Sequence, residues 1–240
     1  MANRSLLLYR SLGIAAALFV CSTSAHAEQL GLEKTNPDIF ASSLDVEYNA
    51  TTDTLTVNRG ATSNYTDSFG TTYSVFGTRP YTLTATIDEF GNATAGTLTI
   101  RGGIVALGYA SNTLLLSGEL CTADPNYVAD GNFGFDDTYS GPGSAPPGYY
   151  DIFEFIFKVT GGALAADFGG VGTPIGIILD ANFANPAPFD GTWDSSFNNF
   201  PGGSNTGTAV TDNFELPTPA ALPMGLLLLG VLGLRYWRRR

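Results

Sequence analysis

Histidine is nearly missing from this sequence, since the single histidine among 240 residues is His26. It falls within residues 1–27, which read as a removable export signal for the reasons given below. The rest of the chain has no histidine. Histidine-dependent catalytic triads, histidine-ligated zinc and most general-base hydrolase chemistry are therefore excluded for that remainder.

Cysteine is also scarce, with only Cys21 and Cys121 present. Cys21 would leave with the export signal, so Cys121 would have no intramolecular disulfide partner even in an oxidising compartment. A catalytic thiolate at Cys121 would lack the histidine that normally activates it. We interpret Cys121 as a small residue at the end of a strand, with an intermolecular disulfide as the alternative.

Basic residues are few between residues 28 and 215, where five of them stand against all 22 acidic residues of the chain. The formal charge of this segment is 5 minus 22, or −17. Nucleic acid is excluded as a partner because its binding requires basic patches. The acidic excess is compatible with solubility at high salt or with binding of divalent cations. The five basic residues are Lys34, Arg59, Arg79, Arg101 and Lys158.

Long apolar runs occur only at the two ends of the chain. At the start, two arginines precede the apolar residues 12–20, and Ala25 and Ala27 form a small-x-small cleavage site. This order predicts a signal peptide over residues 1–27 that is cleaved after Ala27. A lipoprotein acylated at Cys21 and an uncleaved N-terminal anchor are the alternatives.

The second apolar run covers residues 220–234 and is followed by a basic cluster. It is shorter than the roughly 20 residues of an ordinary transmembrane helix, but Tyr236 and Trp237 suit the membrane interface and extend the usable span. We predict a C-terminal transmembrane helix whose terminal arginines stay cytoplasmic. A core helix is the alternative, although the run lacks the polar face of such a helix. The basic cluster consists of Arg235, Arg238, Arg239 and Arg240.

A proline-containing motif stands at the start of this C-terminal segment, and it consists of Leu216, Pro217, Thr218, Pro219, Ala220, Ala221, Leu222 and Pro223. The order of motif, apolar run and arginines resembles the PEP-CTERM sorting domain, and the motif is most similar to the VPLPA-CTERM variant. The resemblance covers residues 216–240. Thr218 stands where these variants carry glutamate or leucine, and Leu216 replaces the usual valine.

The resemblance to PEP-CTERM proteins implies a route through the cell envelope. It implies transient insertion in the inner membrane, recognition by a sorting protease of the exosortase type, and cleavage near the motif. Delivery to the cell surface or the extracellular matrix would follow. Proteins of this class are often associated with exopolysaccharide or biofilm matrix, so an extracellular polysaccharide is an expected partner.

The segment between the two signals, residues 28–215, has the size of one domain and shows strict alternation of apolar and polar residues. A period of two predicts half-buried strands, and no stretch has the pattern of an amphipathic helix. We therefore predict an all-β fold, an antiparallel β-sandwich of the jelly-roll kind. The clearest alternating residues are Leu44, Val46, Tyr48, Leu55, Val57, Tyr81, Leu83, Ala85, Ile87, Leu98 and Ile100.

Turn and loop signals divide these strands. Residues 49–53 and 88–92 are typical of hairpin connections. Residues 122–148 are rich in Gly, Pro, Asp and Tyr and predict one long surface loop, and residues 197–210 predict a loose segment toward the anchor. Further strands are expected at 105–109, 114–120, 150–159 and 175–179. The 150–159 strand carries an aromatic stripe that we interpret as core.

Two acidic clusters are candidate calcium sites because carboxylate and amide oxygens are the ligands that calcium prefers. The first cluster lies in or beside the long predicted loop, but its spacing does not match an EF-hand. The second is looser, and a solvated acidic surface is the alternative for both. The first consists of Asp130, Asn132, Asp136 and Asp137, and the second of Asp180, Asn182, Asp190 and Asp194.

Aromatic residues near the loops are a candidate glycan platform, because tyrosine and tryptophan combine an apolar face with a polar edge. Ordinary packing is the alternative. The five residues concerned are Tyr127, Tyr139, Tyr149, Tyr150 and Trp193.

Glu154 and Glu119 are the only candidates for a two-carboxylate glycosidase, a reaction that needs no histidine. Lys158 follows Glu154 by four residues on the same strand face, so a structural ion pair is the simpler interpretation of Glu154. We assign no catalytic residue and predict that the protein is not an enzyme.

The sequence as a whole therefore predicts an exported bacterial envelope or matrix protein with a non-catalytic structural or adhesive β domain. A carbohydrate-binding module, with or without calcium, is the alternative, and a glycosidase ranks below both. No other cofactor is expected.

Overall fold

The computed structural model describes residues 30–121, 132–136, 150–182, 189–199 and 207–213. The predicted signal peptide and sorting segment lie outside these residues. Within the described part of the chain, no helix is both long enough and apolar enough to cross a membrane.

The described residues form twelve strands and one short 3₁₀ helix, and every strand pairing is antiparallel. The prediction of an all-β antiparallel body is confirmed. The elements are β1 (Asp38–Asn49), β2 (Thr54–Asn58), β3 (Ala61–Thr66), β4 (Thr72–Ser74), β5 (Tyr81–Ile87), β6 (Ala93–Ile104), η1 (Val105–Leu107), β7 (Tyr109–Leu120), β8 (Phe133–Asp136), β9 (Tyr150–Gly161), β10 (Pro174–Asn182), β11 (Phe197–Asn198) and β12 (Gly207–Asp212).

These strands close into one eight-stranded barrel, so the predicted β-sandwich is wrong. The path β1-β2-β5-β6-β7-β9-β10-β12 returns to its start because β12 pairs with β1 as well as with β10. Three further strands pair with strands of this path. β3 and β11 pair with β1, and β8 pairs with β9. Both a sandwich and a barrel bury alternate residues, so the sequence pattern alone does not distinguish them.

The barrel interior is filled with apolar side chains from every strand of the path. In β5, Tyr81, Leu83, Ala85 and Ile87 are buried, while the threonines between them are partly exposed. The aromatic stripe of β9 is confirmed as core, since Phe153, Phe155 and Phe157 are fully buried. Aromatic residues are the largest contributors to such a core.

The two ends of the barrel, called the exit pole and the far pole, carry different connections between strands. The exit pole is the end where β12 stops at Asp212, and it carries residues 67–71, 105–108 and 162–173. The far pole carries residues 50–53, 88–92 and 189–196. This division follows from the topology, because successive strands of an up-and-down barrel run in opposite directions.

A described loop caps the exit pole. Leu164 and Phe168, in the β9–β10 connection, are fully buried in the apolar core. Two tyrosine hydroxyls fix this loop to the wall: Tyr65 donates to the Asp167 carboxylate at 2.8 Å, and Tyr109 donates to the Ala163 carbonyl at 3.3 Å.

The far pole is capped by an aromatic cluster from the segment between β10 and β11. Phe189, Trp193 and Phe197 are buried, and Trp193 packs edge-on against Tyr48 with ring centroids 4.9 Å apart. The Tyr48 hydroxyl lies 2.9 Å from the Ile87 carbonyl and 3.2 Å from the Trp193 carbonyl, so it links the cap to the wall.

Three local predictions need correction. Residues 105–109, expected as a strand, form η1 and the turn between β6 and β7, where Gly108 adopts a φ of 75°. The predicted long loop at 122–148 contains β8, which pairs with β9. Within residues 197–210, the described residues form β11 and most of β12, so they belong to the barrel wall and not to a linker.

The remaining strand and turn predictions agree with the structure. The predicted strands at 114–120, 150–159 and 175–179 lie within β7, β9 and β10. Residues 49–53 and 88–92 connect β1 to β2 and β5 to β6, as expected of hairpin connections.

Candidate functional site

The first predicted calcium cluster is only partly within the described residues. Asn132 uses its side-chain amide to donate to the Ala93 carbonyl at 3.1 Å, and Asp136 lies in β8 opposite Ile152. Asp130 and Asp137 lie outside the described residues. Among the residues that are described, no three histidine, cysteine, aspartate or glutamate side chains come together as a metal site.

The second predicted calcium cluster divides between two places. Asp190 and Asp194 lie at the far pole around the Thr192 hydroxyl, which is 2.7 Å from one carboxylate and 2.8 Å from the other. Asp180 lies in β10, where burial raises the pKa of its carboxyl and Lys34 opposes that shift. The side chain of Asn182 lies outside the described residues.

The predicted glycan platform does not include an accessible Trp193. Its side chain is 2 % exposed, and its ring packs among Phe133, Phe135 and Phe189. A sugar could therefore not stack on Trp193 in this arrangement. Tyr127, Tyr139, Tyr149 and the side chain of Tyr150 lie outside what the structure describes.

Glu154 and Lys158 lie on one strand, four residues or about 13 Å of backbone apart. The described contacts of the Glu154 carboxylate include two backbone N–H groups, and the ion pair with Lys158 stays a prediction. Glu119 lies directly opposite Lys158 across the β7–β9 pairing. The backbone positions of Glu119 and Glu154 are therefore also about 13 Å apart along the sheet.

Cys121 directly follows β7 and is 5 % exposed. Its backbone N–H donates to the Ile156 carbonyl at 3.0 Å. The interpretation of Cys121 as a small buried residue at a strand end is confirmed.

The most distinctive polar arrangement lies on the outer wall, where residues 30–37, the N-terminal strap, meet the barrel. Glu154 alternates with inward phenylalanines in β9 and therefore faces outward, yet it is only 1 % exposed. Its carboxylate accepts the backbone N–H groups of Gly31 at 2.8 Å and of Leu32 at 3.0 Å. Charged acceptors form the stronger kind of hydrogen bond, so Glu154 fixes the start of the strap.

The other end of the strap is fastened where β12 ends. The Thr35 hydroxyl donates to the Asn213 carbonyl, and the Asn213 N–H donates to the Pro37 carbonyl at 3.4 Å. The strap is thus held by the Glu154 carboxylate at its start and by Asn213 at its end.

Asp212 has the most perturbed carboxyl of the strap region. Burial, and then the neighbouring Asp38, raise its pKa to about 7, while Lys34 acts in the opposite direction. Asp212 is 1 % exposed and lies opposite Asp38 in the β1–β12 pairing. Removal from water is the main physical cause of this shift, and the facing acid adds to it.

Sequence reasoning missed the strap site. A signal was present for Glu154, the only acid in the apolar stretch 152–157 of a core strand. Asp212 gave no comparable signal, because its facing acid, Asp38, is remote in sequence. At this site Glu154 accepts backbone N–H groups, and Asp212 has a carboxyl of raised pKa. The described residues of the site include no nucleophile beside an activating base.

A second feature that sequence reasoning missed is a repeated turn with an exposed phenylalanine. Asp67 uses one carboxylate oxygen to accept the N–H groups of Phe69 at 2.9 Å and Thr71 at 2.8 Å. Asp88 accepts the corresponding N–H groups of Phe90 and Asn92 at 3.0 and 2.9 Å. A glycine of positive φ follows each phenylalanine. The shared signal is Asp-x-Phe-Gly, with one copy at each pole.

Comparison with known protein families, with curated proteins and with solved structures finds no match to this chain.

Proposed function

We propose that this protein is exported, sorted through its C-terminal segment, and displayed at the cell surface or in the extracellular matrix, where its β-barrel has a non-catalytic structural or adhesive role. The proposed export and sorting depend on residues 1–27 and 216–240 of the sequence. The observation that supports a structural or adhesive role for residues 28–215 is that the described barrel is filled with side chains and capped at both poles.

A barrel whose interior is filled with side chains favours binding of partners at its outer surface. Eight-stranded barrels either pack their interior with side chains or hold one small ligand. Here Phe155, Phe168 and Trp193 are buried inside the wall or its caps. This filling favours contacts with a partner or a matrix on the turns and the outer wall of the barrel.

A non-catalytic role is also supported by the environment of Glu154. Glu154 is occupied by two backbone N–H groups of the strap, which is the environment of a structural carboxylate. Turnover on a polysaccharide panel that disappears in Glu154→Gln, with the fold intact, would contradict this part of the proposal.

The decisive experiment is the intact mass of the protein recovered from the cell envelope and from the culture medium. The proposal predicts an envelope intermediate and a released species that starts at Glu28 and ends between Pro217 and Leu222. Replacing Pro217 and Pro219 with alanine should leave the C-terminal segment attached. A single species that retains Arg240 in both wild type and variant would overturn sorting.

A further inference from the structure

Exposed apolar side chains are concentrated at the exit pole. Six large apolar side chains are exposed among the described residues, and all but Phe90 lie at this pole. The most exposed are Phe69 at 92 %, Val105 at 77 % and Val171 at 72 %. They come from three different connections, so no single loop conformation accounts for them.

These three tips belong to one surface. The connections that carry Phe69, Val105 and Val171 all lie at the exit pole by topology. The loop that carries Val171 is hydrogen-bonded to Tyr65 at the base of one neighbouring connection and to Tyr109 at the base of the other. These two bonds join the bases of the three connections at one pole.

Folding does not require an apolar side chain at Phe69. The turn is made by the Asp67 carboxylate and by Gly70, whose φ is 82°, while the ring is 92 % exposed. Several exposed apolar residues on one surface are typical of a docking surface for a protein or a membrane.

The position of the chain end indicates which occupant this surface fits. Asn213 is hydrogen-bonded to Pro37 at the exit pole, and the apolar run begins at Ala220. Seven residues span at most about 25 Å, even when fully extended. A membrane that holds the apolar run is therefore within reach of the exit pole.

The two poles differ more in exposed apolar side chains than in charge. The far-pole turns carry Asp53, Asp88 and Glu89. Arg101 and Lys158 lie three residues before the exit-pole ends of β6 and β9, but acids lie at the exit pole as well, among them Asp67 and Asp167. The orientation is therefore argued from the apolar tips and from the position of the chain end.

We infer that the exit pole is a lipid-binding surface, with Phe69, Val105 and Val171 inserted into the interface of the membrane that holds the C-terminal segment. The inference rests on the proposed insertion of that segment. It adds that the barrel lies against the bilayer in one orientation, with its exit pole toward lipid and its far pole toward solvent.

The repeated turn provides a matched test. The full chain carries a single environment-sensitive label at Ser68→Cys in one variant and at Glu89→Cys in the other, which are equivalent exposed positions of the two turns. Both are reconstituted into vesicles of phosphatidylethanolamine and phosphatidylglycerol. The unsubstituted chain reports any labelling of Cys21 or of the buried Cys121.

We expect the label at position 68 to be quenched several-fold more strongly by a lipid-phase quencher than the label at position 89. Adding Phe69→Ser and Val171→Ser to the first variant should remove that difference while the chain still floats with vesicles. Equal, water-like signals from vesicle-bound chain would overturn the inference alone. Quenching that depends on protein concentration and not on lipid quencher would identify a second copy as occupant and also overturn it. A chain that does not float would overturn the membrane proposal itself.

Discussion

Asp212 is the residue whose ionisation should most affect stability. Its pKa rises from 3.8 to about 7 on folding, chiefly through burial and then through Asp38. A raised carboxyl pKa contributes stability that is full below pH 3.8 and is lost as pH rises through 7. The loss is on the order of 4 kcal/mol at most, because one pKa unit corresponds to about 1.4 kcal/mol. We expect Asp212→Asn to melt above the wild type at pH 8 and at a similar temperature at pH 4.

Asp67 provides a control of opposite sign. The Thr71 N–H and other donors of its turn hold the pKa of its carboxyl below 3.8. Its contribution is therefore present above pH 3.8 and is lost as pH falls through the lowered value. Asp67→Asn should lower the melting temperature at pH 8, and the difference should shrink at pH 3. If both variants changed stability with the same pH trend, burial of Asp212 would not be the cause.

Among the connecting elements, the loop that caps the exit pole should be essential for stability. Phe168 is fully buried in the core beneath this loop, whereas Val171 in the same loop is 72 % exposed. Phe168→Ala removes a buried ring and leaves a cavity, which costs about 3–5 kcal/mol. Val171→Ala should change the free energy of unfolding by less than about 0.5 kcal/mol. Urea unfolding of both variants measures the difference, and equal losses would show that Phe168 does not fill the pole.

The strap should depend on one carboxylate. Glu154→Gln keeps one oxygen acceptor but turns an N–H₂ group toward the Gly31 and Leu32 donors, so at least one of these bonds is lost. We expect faster hydrogen exchange in residues 30–37, measured by mass spectrometry of that peptide, without loss of the barrel. Glu119→Gln, an exposed acid on the neighbouring β7, is the control. Unchanged protection in Glu154→Gln would show that the strap is held by its contacts to Asn213 alone.

The elements differ in how far the sequence could predict them. The alternation of Leu44, Val46 and Tyr48 predicts a strand because each apolar residue must face the same side, and β1 contains all three. The strap and the loop that caps the exit pole show no periodic pattern of apolar residues. Their positions depend on single contacts such as the hydrogen bond from Tyr65 to Asp167. The candidate site was missed for this reason. The Glu154 carboxylate accepts the N–H groups of Gly31 and Leu32, which are remote from it in sequence.

At the scale of the whole molecule, the difference between the predicted sandwich and the observed barrel depends on one strand pairing. Every other neighbour pair on the barrel path joins strands with at most two strands between them in the chain, whereas β1 and β12 pair residues as distant as Asp38 and Asp212. Alternation specifies which face of a strand is buried, but it contains no information about which strands meet at closure. The sequence therefore predicts the strands more reliably than their arrangement.

Closure by β12 leads to a prediction about where the chain can be cut. β12 pairs with β10 on one side and β1 on the other, and Ala209 and Thr211 are fully buried. A chain that ends at residue 206 would leave two unpaired edges beside an open core, and such edges promote association. A chain that ends at Glu215 keeps β12 and loses only the predicted sorting segment. We expect size-exclusion chromatography to show a folded monomer for the longer form and aggregates for the shorter one. A monomeric, cooperatively unfolding shorter form would show that the barrel does not need closure, and the core would then be supported by the sheet of the other strands.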